Sequence, residues 1–182
     1  MELQQLYLQD YKQTIQNAII NKKDCGLYAI LPKNIIYRGK GQINEEYAQS
    51  HNFEIYNSID FGGGIVGFKG DIVVIIIKQD GWDLPFCLLR LIRDFLQSKN
   101  INADIFDNDI LVDGVYKVCS ASSINVGDRY IYTGLQVSFN SDNDIISQIC
   151  LKKSVKVPQG LAKYGVNNQE VFQLIKDFAK NL

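Results

Sequence analysis

A β-hairpin is predicted by the segment Asn108-Asp109-Ile110-Leu111-Val112-Asp113-Gly114-Val115-Tyr116-Lys117-Val118-Cys119-Ser120-Ala121. Within it, Asp113-Gly114 lies between two apolar runs. Asp-Gly in this setting is typical of a type I′ turn, because both central residues of that turn need a positive φ. We therefore expect two antiparallel strands that meet at Asp113-Gly114.

Lys117 is the residue of this hairpin that is best suited to catalysis or substrate binding. It follows Gly114 by three residues and precedes Val118 and a run of small residues, so we expect apolar, closely packed surroundings. An ammonium held at the rim of a cleft can donate to a carbonyl or phosphate oxygen, and a desolvated lysine can take part in acid–base catalysis. The alternative is a strand lysine whose stem covers apolar surface while its head reaches water.

Length and charge indicate one domain without affinity for polyanions. The chain has 182 residues, of which 46% are hydrophobic, and this suffices for one domain over residues 1–182 with a substantial core. The 19 basic and 20 acidic residues give a net charge of −1. This balance provides no electrostatic footprint for nucleic acid or an anionic membrane, so we expect neither as a partner.

The cysteines do not form a metal-binding pattern. Cys25, Cys87, Cys119 and Cys150 lack any C-x-x-C spacing, and His51 is the one histidine, so we expect no metal site. The N-terminal segment has no basic stretch followed by an apolar run, and the longest apolar run, residues 72–77, is too short to span a bilayer. We expect a soluble, cytoplasmic protein with reduced thiols.

Hydrophobic periodicity predicts an α+β fold. Amphipathic helices are expected over residues 3–20, 45–50, 84–96, 141–151 and 170–182. Strands are expected over residues 27–31, 35–37, 53–56, 72–77, 101–105 and 129–139. Because residues 72–77 are apolar on both faces, we expect this strand to be central and covered on each side.

Two glycine-containing segments are candidate substrate loops. Residues 60–71 contain five glycines, which indicates unusual backbone dihedrals or a ligand that approaches closer than a Cβ permits. The segment is not a phosphate-binding P-loop, because Lys69-Gly70 leads into a strand. Residues 38–42 combine two glycines with Arg38 and Lys40, which predicts either a loop that brings amides and charge to a substrate or a surface turn.

The order of these parts resembles the biotin/lipoate protein ligase and octanoyltransferase superfamily, from about residue 6 to the end. The features that resemble its lipoyl(octanoyl) transferase branch are Tyr11, Gln16, Pro32 through Tyr37, Gly39-Lys40, Asp60 and Gly62-Gly63. The hairpin features that resemble the superfamily are Asn108-Asp109-Ile110, Gly114 and Lys117-Val118. Tyr132-Thr133-Gly134-Leu135 stands where the family has a His-Gly strand.

The resemblance implies a fold, an activity and a set of site residues. The implied fold is a single domain with a central mixed β-sheet flanked by helices. The implied activity moves an octanoyl or lipoyl group from an acyl thioester to a lysine of a lipoyl-type carrier domain, with Lys117 polarising the acyl carbonyl and shuttling a proton. The implied substrate-binding residues are Gly62, Gly63, Gly64, Lys69, Lys40, Thr133 and Gly134. The implied partners are an acyl carrier protein, a lipoyl-type carrier domain and a small acyl ligand, and transfer requires no cofactor.

Several positions depart from the family pattern. Phe61 stands where the family has an arginine, while Phe68-Lys69 and Thr133 stand where it has histidines. Lys69 or Lys40 can replace the lost arginine clamp only in part. Two alternatives to transfer therefore stay open: a non-catalytic ligand-binding or interaction protein, and an ATP-dependent lipoate or biotin ligase, which would need ATP and Mg²⁺.

The nucleophile of the transferase branch is also replaced. That branch uses a cysteine in a Pro-Cys-Gly-Ile turn, and the matching segment here carries Gln159, which cannot form a thioester. Cys150 follows Lys117 at a separation close to that of the family and is our candidate nucleophile, and Cys119, expected on the same strand face as Lys117, is a second candidate. A thiolate is favoured near an ammonium. The alternative for both cysteines is an inert, buried side chain.

Overall fold

The computed structural model describes residues 1–7, 10–38, 43–57, 65–150 and 156–182, with the backbone alone at residues 11, 12 and 57. The elements in chain order are β1 (Leu3–Gln5), α1 (Tyr11–Ile20), β2 (Cys25–Ile30), β3 (Ile35–Arg38), α2 (Glu45–Ser50), β4 (Glu54–Asn57), β5 (Ile65–Gly67), β6 (Ile72–Gln79), α3 (Leu84–Ser98), β7 (Ala103–Phe106), β8 (Asp109–Val112), β9 (Tyr116–Gly127), β10 (Tyr130–Val137), α4 (Asn143–Ile149), β11 (Val157–Pro158), a 3₁₀ helix (Leu161–Tyr164) and α5 (Asn168–Lys180).

These strands form two sheets. The larger sheet has the order β1-β2-β6-β10-β9-β8-β7, and β11 pairs with the start of β9. Its β1–β2 and β11–β9 pairs are parallel and the others are antiparallel. The smaller sheet has the order β4-β3-β5. The predicted α+β fold, with a mixed central sheet flanked by helices, is confirmed.

The larger sheet has two faces that are covered differently. On the face that we call the α3 face, alternate residues of β6 and β10, including Ile76 and Leu135, pack against α3 and α5. On the opposite α1 face, Val73, Ile75 and Tyr132 pack against α1 and the smaller sheet. Residues 72–77 are buried throughout, so the predicted central position of this strand is confirmed.

The predicted hairpin turn is also confirmed. Asp113 has a φ of +52° and Gly114 a φ of +70°, as a type I′ turn requires. The N–H of Val115 donates to the carbonyl of Val112 at 3.1 Å and closes the turn.

The predicted helix over residues 3–20 is wrong at its beginning. Leu3–Gln5 form strand β1, which pairs in parallel with β2, and the helix begins at Tyr11. Leu3 and Leu6 are three residues apart, which is a helical spacing, but they are buried in different hydrophobic clusters. The helical spacing of these two leucines therefore does not reflect a shared helix face, and pairing with the sheet decides the structure of residues 3–5.

Within the described ranges, no helix is long and apolar enough to cross a membrane.

Candidate functional site

Lys117 is held in the sheet by strands on both sides. It lies opposite Leu111 of β8 and opposite Pro158 of β11. Its carbonyl accepts a hydrogen bond from the N–H of Gln159 at 2.9 Å. The backbone of Lys117 is therefore fixed by the hydrogen bonds of the larger sheet.

The side chain of Lys117 is positioned by an ion pair. Its Nζ lies 2.9 Å from Oδ1 of Asp109, and its side chain is 35% exposed whereas that of Asp109 is 11% exposed. Asp109 and Leu111 are two residues apart on β8 and therefore share one face. Across the sheet, Asp109 pairs with Ser120, Ser120 pairs with Gln136, and Gln136 pairs with Val73, which belongs to the α1 face. Because paired residues share a face, Lys117 projects from the α1 face of the sheet.

Asp109 also binds a second lysine. Its Oδ2 accepts a hydrogen bond from Nζ of Lys156 at 2.6 Å. Burial acts to raise the pKa of Asp109, but the hydrogen bonds from Lys156 and Lys117 outweigh it and hold that pKa below its ordinary value. The hydrogen bond to Asp109 raises the pKa of Lys156. Asp109 and Lys156 are therefore both charged at neutral pH.

Sequence reasoning did not single out Asp109 and Lys156 as parts of a site. Asp109 was visible as an acidic residue within the hairpin, on the strand expected to pair with that of Lys117. That pairing is a usable signal, because an opposite charge on the neighbouring strand can reach an ammonium. Lys156 had no such signal, since it directly precedes β11, whose pairing with β9 is not local in sequence.

Cys119 does not lie on the same face as Lys117, and that expectation is wrong. Lys117 lies opposite Leu111, but Cys119 lies opposite Ile110, so Val118 is an extra residue in a β-bulge. Leu111 and Ile110 are adjacent and point to opposite faces, and therefore so do Lys117 and Cys119. Cys119 is buried in the cluster under α3, where burial raises the pKa of its thiol.

Cys150 lies at the C-terminal end of α4. It forms an isolated bridge with Ile43, and its side chain packs on the hydrophobic cluster between α2 and α4. Burial raises the pKa of its thiol. Lys117, in contrast, pairs with Asp109 on β8. Lys117 acts to lower the thiol pKa of Cys119, but burial outweighs it, and within the described part of the chain no ammonium acts on the thiol of Cys150.

Thr133 and Gly134 project to opposite faces of β10. Thr133 lies opposite Ile76 on the α3 face and is fully buried, so it does not line the face from which Lys117 projects. Gly134 lies opposite Ile75 and Ser122, on the α1 face. Five partly or fully exposed residues of that face form what we call the polar patch: Lys117, Ser120, Ser122, Gly134 and Gln136. A Cβ at Gly134 would lie 3.4 Å from the ring of Tyr132.

The residues at the family's other functional positions are placed as follows. Phe68 is buried and packs edge-to-face on Phe53, with ring centroids 5.2 Å apart, so it belongs to the core. The side chain of Lys69 is exposed, and its backbone N–H donates to the side chain of Asn34 at 2.9 Å. Four of the residues predicted to bind substrate, Lys40, Gly62, Gly63 and Gly64, lie outside the described residues, as does Phe61.

The segment around Gln159 lies beside Lys117. The side-chain amide of Gln159 donates to the hydroxyl of Tyr164. A Cβ on the next residue, Gly160, would come within 2.1 Å of the carbonyl oxygen of Phe139, so glycine is required there. The segment that matches the transferase turn in sequence therefore lies next to Lys117 and carries an amide where that turn has a thiol.

Replacing Thr133 by valine should stabilise the protein by about 1 kcal/mol. The hydroxyl of Thr133 is buried and has no hydrogen-bond partner among the described residues, and valine removes it while keeping the shape. Urea unfolding measures the change, with Ser123→Ala on the neighbouring strand as a control that should have little effect. Loss of ligand binding in Thr133→Val, without loss of stability, would contradict the placement of Thr133 in the core.

Asp109→Asn should lower stability at neutral pH by about 2 kcal/mol, because two lysines lose a charged hydrogen-bond acceptor. The folded-state pKa of Asp109 lies below its ordinary value of 3.8, so the unfolded chain takes up the proton first as the pH falls. The difference in unfolding free energy between the two proteins should therefore be complete above about pH 5 and shrink as the pH falls below 3.8. A difference that stays constant down to pH 3 would contradict the ion pairs.

Comparison with solved structures identifies the fold. A bipartite lipoate protein ligase from Thermoplasma acidophilum, described with its E2 lipoyl domain, is 15% identical, with a TM-score of 0.72 over 99% of this chain and 83% of that one. The lipoate and biotin protein ligase fold is thereby assigned. A lipoate-protein ligase A bound with ATP is 15% identical, with a TM-score of 0.72 over 99% of this chain and 85% of that one.

A biotin protein ligase has a similar structure as well. A biotin protein ligase from Leishmania major, in complex with biotinyl-5-AMP, is 11% identical, with a TM-score of 0.54 over 95% of this chain and 69% of that one. No protein-family model and no curated protein sequence matches the chain. The resemblance inferred from the sequence is confirmed at the level of the ligase fold.

Proposed function

We propose that this protein transfers an octanoyl- or lipoyl-type acyl group to a lysine of a lipoyl-type carrier domain. One observation carries the proposal: Lys117 is fixed by Asp109 on a partly exposed face of the sheet, within the lipoate and biotin ligase fold. An ammonium fixed before the substrate arrives can act on a carbonyl without having to be ordered during the reaction.

The chemistry needs no nucleophile from the protein itself. The amine of the carrier lysine attacks the acyl carbonyl, an amide C–N bond forms, and the bond from the carbonyl carbon to the thioester sulfur breaks. The ammonium of Lys117 donates to the carbonyl oxygen as negative charge develops on it. The proton of the attacking amine leaves with the released thiol. Direct transfer agrees with the burial that raises the thiol pKa of both Cys119 and Cys150.

A thioester donor is favoured over an acyl-adenylate. The position at which the superfamily carries an arginine is Phe61 here, and the loss of a bidentate guanidinium weakens the binding of a phosphate. The side chain of Lys69 supplies a point charge but no fork of donors. ATP and Mg²⁺ are therefore expected to be dispensable for transfer.

Mass spectrometry of a carrier domain tests the reaction. The full chain is incubated with an unmodified lipoyl domain and one of three donors: octanoyl-acyl carrier protein, lipoic acid with ATP and Mg²⁺, or lipoic acid alone. We expect an octanoyl mass shift on the lipoyl domain with the first donor and no octanoyl adduct on the protein itself. Modification that requires ATP would instead identify a ligase, and an adduct that Cys150→Ala removes would establish covalent transfer through Cys150.

A non-catalytic binding protein is the second candidate. The positions at which the superfamily has histidines carry Phe68-Lys69 and Thr133, and the side chains of Phe68 and Thr133 are buried in the core. If none of the three donors modifies the carrier, thermal stabilisation by octanoate, lipoate or biotin would identify a ligand-binding role.

A further inference from the structure

Asp109 is shared by two lysines that differ in how they are held. One carboxylate oxygen binds Nζ of Lys117 at 2.9 Å and the other binds Nζ of Lys156 at 2.6 Å. The side chain of Asp109 is 11% exposed, so a counterion is needed wherever Lys117 goes. Two ammonium groups around one carboxylate give the cluster one more cation than a simple ion pair.

Lys156 has contacts that do not depend on Lys117. Its Nζ lies 3.4 Å from the carbonyl oxygen of Phe106 and 5.0 Å from the centre of the Phe106 ring. It also lies 3.6 Å from a carboxylate oxygen of Asp107. The Lys156 side chain is 23% exposed, against 35% for Lys117. Lys117 is thus the member of the pair with more freedom to leave Asp109.

The ammonium of Lys117 has three N–H donors, one of which binds Asp109, so an acyl carbonyl that binds Lys117 competes with Asp109 for the position of that ammonium. We propose that Lys156 is a positioning residue for Lys117, and that it retains the Asp109 carboxylate when Lys117 turns to an acyl carbonyl. Without Lys156, that movement would leave a largely buried carboxylate without a counterion, so Asp109 would hold Lys117 more tightly. The benefit of Lys156 to catalysis rests on the proposed function, but its effect on Lys117 can be measured without any acyl transfer.

The reactivity of Lys117 towards a small acetylating reagent tests the competition directly. Acetyl N-hydroxysuccinimide ester labels the full-length protein, and peptide mass spectrometry gives the labelling rate of Lys117 relative to the exposed Lys23 in the same sample. We expect Lys156→Met to slow labelling of Lys117 by about threefold or more, because Asp109 then pairs with Lys117 alone and binds its ammonium more tightly. Lys156→Arg keeps the charge and should leave the rate close to that of the wild type.

A second substitution distinguishes positioning from a general disturbance of structure. Asp109→Asn combined with Lys156→Met removes the carboxylate that restrains Lys117, and it should restore the labelling rate to at least the wild-type value. An unchanged rate in Lys156→Met, or a slower rate that the double substitution does not restore, would overturn the proposal. Thermal melting of each variant shows whether it is folded.

Transfer kinetics separate this proposal from the proposed function. With octanoyl-acyl carrier protein as donor, Lys156→Met should lower kcat about tenfold and leave the KM for the lipoyl domain unchanged, and Lys23→Met should change neither. If the wild-type protein transfers nothing but the labelling pattern holds, the proposed function fails and the role of Lys156 stands. If transfer occurs but Lys156→Met leaves labelling and kcat unchanged, the role of Lys156 fails alone.

Discussion

Replacing Lys117 by alanine should lower the rate of acyl transfer to a lipoyl-type carrier domain by at least about a hundredfold, the usual effect of removing a donor to a developing oxyanion. The fold should persist, because the hydrogen bond between Lys117 and Gln159 uses the backbone carbonyl of Lys117. Intact-mass spectrometry of the carrier domain measures the rate, and thermal melting confirms folding.

The control for this substitution is Lys23→Ala, which removes an exposed lysine and should leave transfer unchanged. Lys117→Arg is informative as well, since it keeps a cation opposite Asp109 but changes the position and shape of the donor group. We expect Lys117→Arg to fold and to retain only a small part of the transfer rate. A Lys117→Ala protein that folds and transfers at the wild-type rate would refute the assignment of Lys117 to the reaction.

Local signals in the sequence predicted the parts of the fold that depend on local physics. The Asp113-Gly114 turn followed from the need for positive φ at both residues, and the structure has it. The central strand followed from a run of apolar residues without alternation, which only a sheet covered on both faces can accommodate. Strand β1 was missed because one pair of residues at a helical spacing, Leu3 and Leu6, carries too little information to exclude pairing with a distant strand.

Face assignments in the hairpin could not be predicted from the turn. An ideal two-residue turn at Asp113-Gly114 would place Lys117 opposite Ile110, on the face buried under α3. The observed pairing is shifted by one residue, so that Lys117 lies opposite Leu111 and on the face of Asp109. The bulge at Val118 then returns Cys119 to the buried face. A shift of one residue thus decides which side chain reaches the site and which cysteine does not.

The cluster around Asp109 combines the two strands of the hairpin with a third segment that is distant in sequence. Lys117 and Asp109 come from the two strands of the hairpin, whereas Lys156 arrives with β11. The lysine alone is an ordinary strand residue in the sequence. Its role as a candidate catalytic group depends on a carboxylate that fixes it and on a second cation that shares that carboxylate, and both are tertiary features.

Asp71→Ala should destabilise the protein by roughly 3–5 kcal/mol, because the carboxylate of Asp71 satisfies three backbone donors. It accepts hydrogen bonds from the N–H groups of Phe68 at 2.9 Å, Phe139 at 2.7 Å and Asn140 at 3.3 Å. Asp71 is fully buried, and burial raises its pKa in spite of these hydrogen bonds. Alanine would leave the donors without an acceptor in a site that water does not reach, and urea unfolding measures the loss.

Asp71→Asn distinguishes the hydrogen bonds from the charge. Its amide oxygen can keep the donors at Phe139 and Asn140, but its NH₂ would face the N–H of Phe68, so we expect about half of the loss seen with alanine. The raised pKa of Asp71 means that the folded state retains a proton that the unfolded chain releases just above pH 3.8, so its contribution to stability falls as the pH rises through that window.

Asp71→Asn should remove this decline, whereas Asp94→Ala, at an exposed ion pair, should change stability by less than about 0.5 kcal/mol. Equal stability of Asp71→Ala and the wild type would show that these backbone donors find other acceptors.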